Sequence, residues 1–185
     1  MKRYICYTDG SFKSSVNIGG WASIITDENN QIIKELYSGV INTTNNRMEA
    51  LAVLETLKWF KEPTELLIVS DSMYVVNTIN KGWAQKWFDE KDYSKSNLDI
   101  WFQILDYLDF HKVEMEWTKG HANHEMNNKV DELAQFATTC LNLPEDEYFI
   151  KSKKSGESLV SRSGTQWSNG SDVGSKNGEI TYSLR

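Results

Sequence analysis

The run Leu66-Leu67-Ile68-Val69-Ser70-Asp71 constrains the fold more than any other segment. Four consecutive branched apolar residues are followed by a hydroxyl and a carboxylate. A strand that is apolar at every position, without alternation, needs cover on both faces. That pattern belongs to a central strand of a layered α/β domain. The run ends on an acid, which places Asp71 at a strand terminus, where such sheets hold their ligands.

Neighbouring segments supply the covering layers. Residues 45–61, NNRMEALAVLETLKWFK, carry apolar side chains at 48, 51, 54, 57 and 60, a helical spacing, and Pro63 follows. Residues 97–110 and 125–141 also have helical patterns, the second ahead of Pro144. Upstream, YICYT (4–8) predicts a strand that runs into an Asp9-Gly10 turn. WASIIT (21–26) and QIIKELYSG (31–39) flank a turn signal at 27–30, which predicts an antiparallel meander of three strands. SMYVVNTINKG (72–82) predicts a short helix stopped by Gly82, and KVEMEWTK (112–119) alternates like a strand. Residues 83–96, with Trp83, Trp87, Phe88 and Tyr93 among charges, read as irregular. The expected order is βββαβα, an irregular segment, then αβα. This is an α/β fold with a five-stranded mixed sheet flanked by helices.

Composition limits the function classes. The 185 residues are 39% hydrophobic, enough for one substantial core. The expected organisation is a domain over 1–145 and a flexible Ser/Gly/Lys-rich tail over 146–185. Cys6 and Cys140 offer no disulfide framework, so a reducing, cytoplasmic setting is expected. No apolar run approaches the roughly 20 residues that span a bilayer, and none near the start resembles a leader. No heptad suggests more than a monomer. The net charge is −6; residues 151–185 hold six basic groups and three acids, so the first 150 residues carry −9. Such a body repels nucleic acid unless cations stand between it and the phosphates.

Four acids are candidates to hold those cations: Asp9, Glu49, Asp71 and Asp131. If the strands ending at Asp9 and Asp71 are parallel neighbours, both carboxylates reach one sheet edge. Glu49 follows the core residue Met48, and Asp131 lies beside Val130, Leu133 and Ala134. Converging carboxylates repel unless protons or cations neutralise them, and hard divalent ions with oxygen ligands do so. Two such ions about 3.5–4 Å apart support phosphodiester hydrolysis. Each acid also has an ordinary reading. Asp9 before Gly suits a turn, Asp71 suits a helix cap, and Glu49 and Asp131 suit solvated helix faces.

The context of these acids resembles type 1 ribonuclease H. YTDGS (7–11), TTNNRMEA (43–50), SDSMYVVN (70–77) and TKGHANHEMNNKVDELA (118–134) are similar to its four signature blocks, in the same order, over residues 3–141. The resemblance implies a ribonuclease H-like fold and an endonuclease that hydrolyses the RNA strand of RNA–DNA hybrids, leaving 5′-phosphate and 3′-hydroxyl ends. It implies two Mg²⁺ per site, with Mn²⁺ as a substitute. Asp9 would bridge both ions, Glu49 and Asp71 would hold the leaving-group ion, and Asp131 the ion of the attacking water. His121 matches the mobile histidine of proton transfer or product release, with His124 as a rival. Asn45 and Asn46 match contacts to RNA 2′-hydroxyls, the groups that distinguish RNA from DNA. Thr44 and Asn97 match holders of a DNA-strand phosphate, and Trp83 and Trp87 match an aromatic, basic protrusion. Trp87 could equally pack against the 97–110 helix.

The chain departs from the pattern in three places, one of them the 35-residue C-terminal segment, which is not part of the family domain. The loop after Asp9 lacks the family's usual Gly-Asn-Pro-Gly run, although Gly19 and Gly20 remain. The protrusion over 81–96 has four lysines against three acids, which predicts modest, strongly salt-sensitive binding. A non-catalytic hybrid-binding module and a related nuclease or integrase are the competing readings.

Overall fold

The structure is a computed structural model that describes residues 2–119 and 125–155. Its five strands are β1 (Arg3–Lys13), β2 (Ile18–Thr26), β3 (Ile32–Ile41), β4 (Glu65–Ser70) and β5 (Lys112–Trp117). Its six helices are α1 (Asn45–Trp59), α2 (Met73–Asn80), α3 (Trp83–Asp89), α4 (Leu98–Phe110), α5 (Glu125–Ala137) and α6 (Glu147–Ser155). The sheet order is β3-β2-β1-β4-β5. β1, β2 and β3 pair antiparallel, and β1, β4 and β5 pair parallel. The apolar run thus forms an interior strand of a mixed sheet, as its lack of alternation requires.

Pleating divides the core. Cys6, Ile25, Leu66 and Ile68 join α1, α2 and α4 in the main core, whereas Ala22 and Ile24 pack with Val130 and Ala134 of α5. Leu66 and Ile68 are at most 1% exposed, and burial of each contributes about 1.5–3 kcal/mol. α1 is buried around most of its circumference. Beyond the expected stripe, positions 47, 49, 50, 52, 53 and 56 are also covered. Among the described residues, no helix is long and apolar enough to cross a membrane.

Three sequence expectations are corrected. The Asp9-Gly10 pair is not a turn, because β1 continues through it to Lys13, with Asp9 opposite Ala22. Residues 83–89 are not irregular but form α3. Its Ala84 is buried, Trp87 packs on the main core, and Phe88 meets the Phe102 ring edge-on at 5.2 Å. Residues 147–155 form α6 where a tail was expected, and Tyr148 is 6% exposed.

Candidate active site

The parallel register of β1 and β4 ends with Thr8 opposite Ser70. Asp9 and Asp71 are the residues that follow this pair, so the pairing of the two strands makes them neighbours. The third acid arrives on α1. A β-carbon on Gly10 would lie 2.5 Å from the Glu49 backbone nitrogen and 2.9 Å from the Met48 carbonyl carbon. Only glycine permits α1 to lie this close on β1. One ligand oxygen from each of Asp9, Glu49 and Asp71 then falls within 4.8 Å of the others. Gly20 serves the other face in the same way, since a β-carbon there would sit 2.1 Å from the Ala134 carbonyl oxygen of α5.

The ordinary readings of Asp9, Glu49 and Asp71 do not hold. Asp9 and Glu49 are 5% and 7% exposed, so neither is a solvated surface group. The cap of α2 is Ser72, whose hydroxyl accepts the Val75 amide, not Asp71. Asp131 is half-buried and accepts a hydrogen bond from Gln135 at 2.9 Å. It stands outside the tight group of three, but near enough for its charge to bear on Asp9.

The cluster is electrostatically strained. Burial first, then the charge of Asp71, push the Asp9 carboxyl up to about 8, against a bond from the Gly10 amide. Burial, then Asp9 and Asp71, raise Glu49 well above the usual carboxylate range. No salt bridge reaches Asp9 or Glu49 among the described residues. Glu49 Oε1 accepts from Asn45 Nδ2 at 3.3 Å, while its buried Oε2 has no hydrogen-bond partner. A buried acceptor left in this state costs free energy unless a cation or proton serves it.

The other expected site residues lie at the start of α1, on α3 and at the start of α4. Thr44 caps α1, accepting the Arg47 amide at 3.3 Å; Asn45 and Asn46 are exposed on the first turn. Asn97 is 9% exposed, donates to Tyr74 at 3.0 Å and accepts from Arg47 at 3.4 Å. Trp83 is exposed beneath the Lys81 ammonium, 5.2 Å from the ring centre, whereas Trp87 is half-buried. His121 and His124 lie outside the described residues.

Two features were missed. Arg47, two residues before Glu49, is 4% exposed and grips Asp99 with two 2.9 Å bonds and Asp146 with bonds of 2.6 and 2.9 Å. An arginine in a heavily apolar helix was the available signal, because a buried guanidinium demands partners. Trp117 donates from its indole nitrogen to the Asp71 carbonyl at 3.0 Å and so ties the strand-to-helix junction to β5.

A ribonuclease H family model matches residues 1–139. The ribonuclease H of Caldicellulosiruptor saccharolyticus is 40% identical over 142 residues, covering 73% of this chain and 95% of that one. The ribonuclease H of Desulforamulus reducens is 39% identical over 151 residues, covering 79% and 94%. The crystal structure of LC9-RNase H1, described as a type 1 RNase H with the type 2 active-site motif, superposes with a TM-score of 0.68 at 24% identity. It covers 75% of this chain and 73% of its own. The family match spans the sheet, α1 through α5 and the acidic cluster, and on that extent the chain belongs to the ribonuclease H family, enzymes that hydrolyse RNA.

Proposed function

We propose that the chain is an endonuclease that hydrolyses the RNA strand of RNA–DNA hybrids using two divalent cations, leaving 5′-phosphate and 3′-hydroxyl ends. The observation that carries this reading is the Asp9–Glu49–Asp71 group, two of its acids buried and Asp71 half-buried, with its unsatisfied Glu49 oxygen. The donor set fits hard cations such as Mg²⁺, or Mn²⁺ in its place, which take carboxylate oxygens together with water and substrate phosphate. Asp9 is assigned to both ions, Glu49 and Asp71 to one, and Asp131 to the other. When bound, such a pair supplies an activated water and stabilises the leaving oxygen.

The chain's own groups hold the carboxylates in position. The Gly10 amide fixes one Asp9 oxygen at 2.7 Å, Asn45 orients Glu49, and Trp117 fixes the Asp71 backbone. Asn97 is oriented by its neighbours. Arg47 can only donate, so it claims the carbonyl oxygen of the amide and leaves the –NH₂ to donate elsewhere. One of those hydrogens goes to Tyr74, and the second is available for a DNA-strand phosphate. The Thr44 hydroxyl accepts from the Arg47 amide and keeps its own hydrogen for the same phosphate. Asn46 and Asn45 are assigned to the RNA 2′-hydroxyls, and Trp83 with Trp87 to the protrusion. His121, with His124 as its rival, is assigned proton transfer or product release on the resemblance alone. A monomeric, cytoplasmic enzyme is the proposed setting, consistent with two free cysteines.

The test is incubation with a labelled RNA–DNA hybrid, double-stranded RNA and double-stranded DNA, in Mg²⁺ or in chelator. The expected result is metal-dependent cutting of RNA in the hybrid alone. Asp9→Asn should abolish cutting while the thermal unfolding transition persists. Hybrid binding without cleavage would instead favour a binding module, and retained cutting by Asp9→Asn would overturn the assigned site.

A further inference from the structure

A second candidate site lies away from the carboxylates. A cleft of about 690 Å³ opens between α6 and the 93–97 segment that leads into α4. Its size falls in the roughly 300–1,000 Å³ range usual for ligand sites. No Asp or Glu lines it, in a chain with 26 acidic residues against 20 basic ones. Arg47, Lys95 and Lys153 line it instead, with the rings of Tyr93 and Phe149 and with serine hydroxyls. The carboxylates nearest to Arg47, Asp99 and Asp146, are bonded to its guanidinium. Lys153 lies 4.6 Å over the Phe149 ring and has no salt bridge among the described residues. Among the described residues, the exposed Lys95 has one ion-pair partner, Asp92, at 3.4 Å.

Cations, hydroxyls and flat aromatic faces without carboxylates are what a nucleic-acid backbone and its bases require. The cleft is also continuous with the site proposed above, because Asn97 belongs to both. α6 lies beyond the family match, which ends at residue 139, so this wall is particular to the C-terminal segment.

We infer that the cleft between α6 and residues 93–97 takes the DNA strand of the hybrid beyond the Thr44–Asn97 phosphate contact. Lys95 and Lys153 meet the next phosphates, and Tyr93 or Phe149 lies against a base or sugar. This inference rests on the proposed hybrid substrate, since Asn97 is what assigns the strand.

The experiment uses the full chain and fluorescein-labelled hybrids that are blunt, extended in the DNA strand at either end, or extended in the RNA strand. KM is measured in Mg²⁺, and Kd by anisotropy in chelator at matched salt. Extension of the DNA strand at one end only should lower both constants by roughly threefold to tenfold, the worth of a few exposed ion pairs. Lys153→Glu should remove this gain and reduce the slope of log Kd against log salt by about one. Lys95→Glu, on a different element, should do the same, which guards against a local folding defect in α6. No gain from either DNA end, an equal gain from RNA extension, or a gain that survives both charge reversals would overturn the inference. If the wild type cuts no hybrid, the nuclease reading fails, while the anisotropy comparison still decides the cleft.

Discussion

Two groups of buried and half-buried carboxylates lie at the N-terminal end of α1 and are resolved in opposite ways. Asp99 and Asp146 close around Arg47, whose fork satisfies both. Burial opposes the charge of Arg47, but its two partners overcome this and hold it protonated above its ordinary range. Asp9, Glu49 and Asp71 gather within 4.8 Å, and no salt bridge of the described residues reaches Asp9 or Glu49. The two sets differ in what neutralises them. Where the cation is part of the sequence, the cluster locks the fold permanently. Where the sequence withholds it, the cluster carries unfavourable charge that only a proton or an added ion relieves. Arg47 and Glu49 are two residues apart on one helix, so stability and the proposed chemistry share a scaffold.

This contrast is broken most severely at Arg47. Arg47→Met strands two buried acids and should lower unfolding free energy by about 3–5 kcal/mol, measured by denaturant titration. Adding Asp146→Leu should recover part of that loss, since the residues couple directly. Asp9→Asn should have the opposite sign in chelator, raising stability by on the order of 1–2 kcal/mol in alkaline buffer because it removes a repelled charge. A lower melting temperature for metal-free Asp9→Asn would show that the cluster is not strained.

Acidity sharpens the same comparison. The folded Asp9 carboxyl titrates near 8, above its ordinary 3.8. Its contribution is therefore complete below the ordinary value and is lost as pH rises through about 8. The metal-free melting temperature should fall along that limb, and Mg²⁺ should raise it most at the alkaline end. An Mg²⁺ effect that does not vary with pH would contradict this. The smallest effect belongs to His111, 4% exposed, whose Nδ1 accepts the Thr64 amide at 3.3 Å while Nε2 faces the Leu57 carbonyl at 3.2 Å. Burial lowers its pKa from 6.5, so its contribution is full above 6.5 and is lost as pH falls. His111→Gln should flatten that acid limb by about 1 kcal/mol or less.

What was legible in the sequence follows from which forces are local. Uninterrupted apolarity gave β4 its interior place, and helical spacing gave α1 its position and its Met48–Leu57 stripe. The same spacing concealed the burial of Glu49, because that depends on α1 being covered on a second side and on Gly10 admitting it to the sheet. Asp9-Gly10 carried a genuine local turn signal that was overruled by pairing with β2. α3 lacked a start signal, since Gly82 caps it in a left-handed conformation without a side-chain bond, and packing on α4 sustains it instead. α6 looked like the start of a polar tail because its anchor, Asp146 on Arg47, spans 99 residues of chain.

That span has a consequence for synthesis. As the chain emerges from N- to C-terminus, α1 can form long before Asp146 exists to complete the grip on its arginine. Asp99 is the earlier partner, and residue 146 closes the fork last. The last bonds to the guanidinium on the helix that delivers Glu49 can therefore form only after nearly the whole described chain is made. A product truncated before residue 146 keeps Asp99 but lacks the second carboxylate of the Arg47 fork.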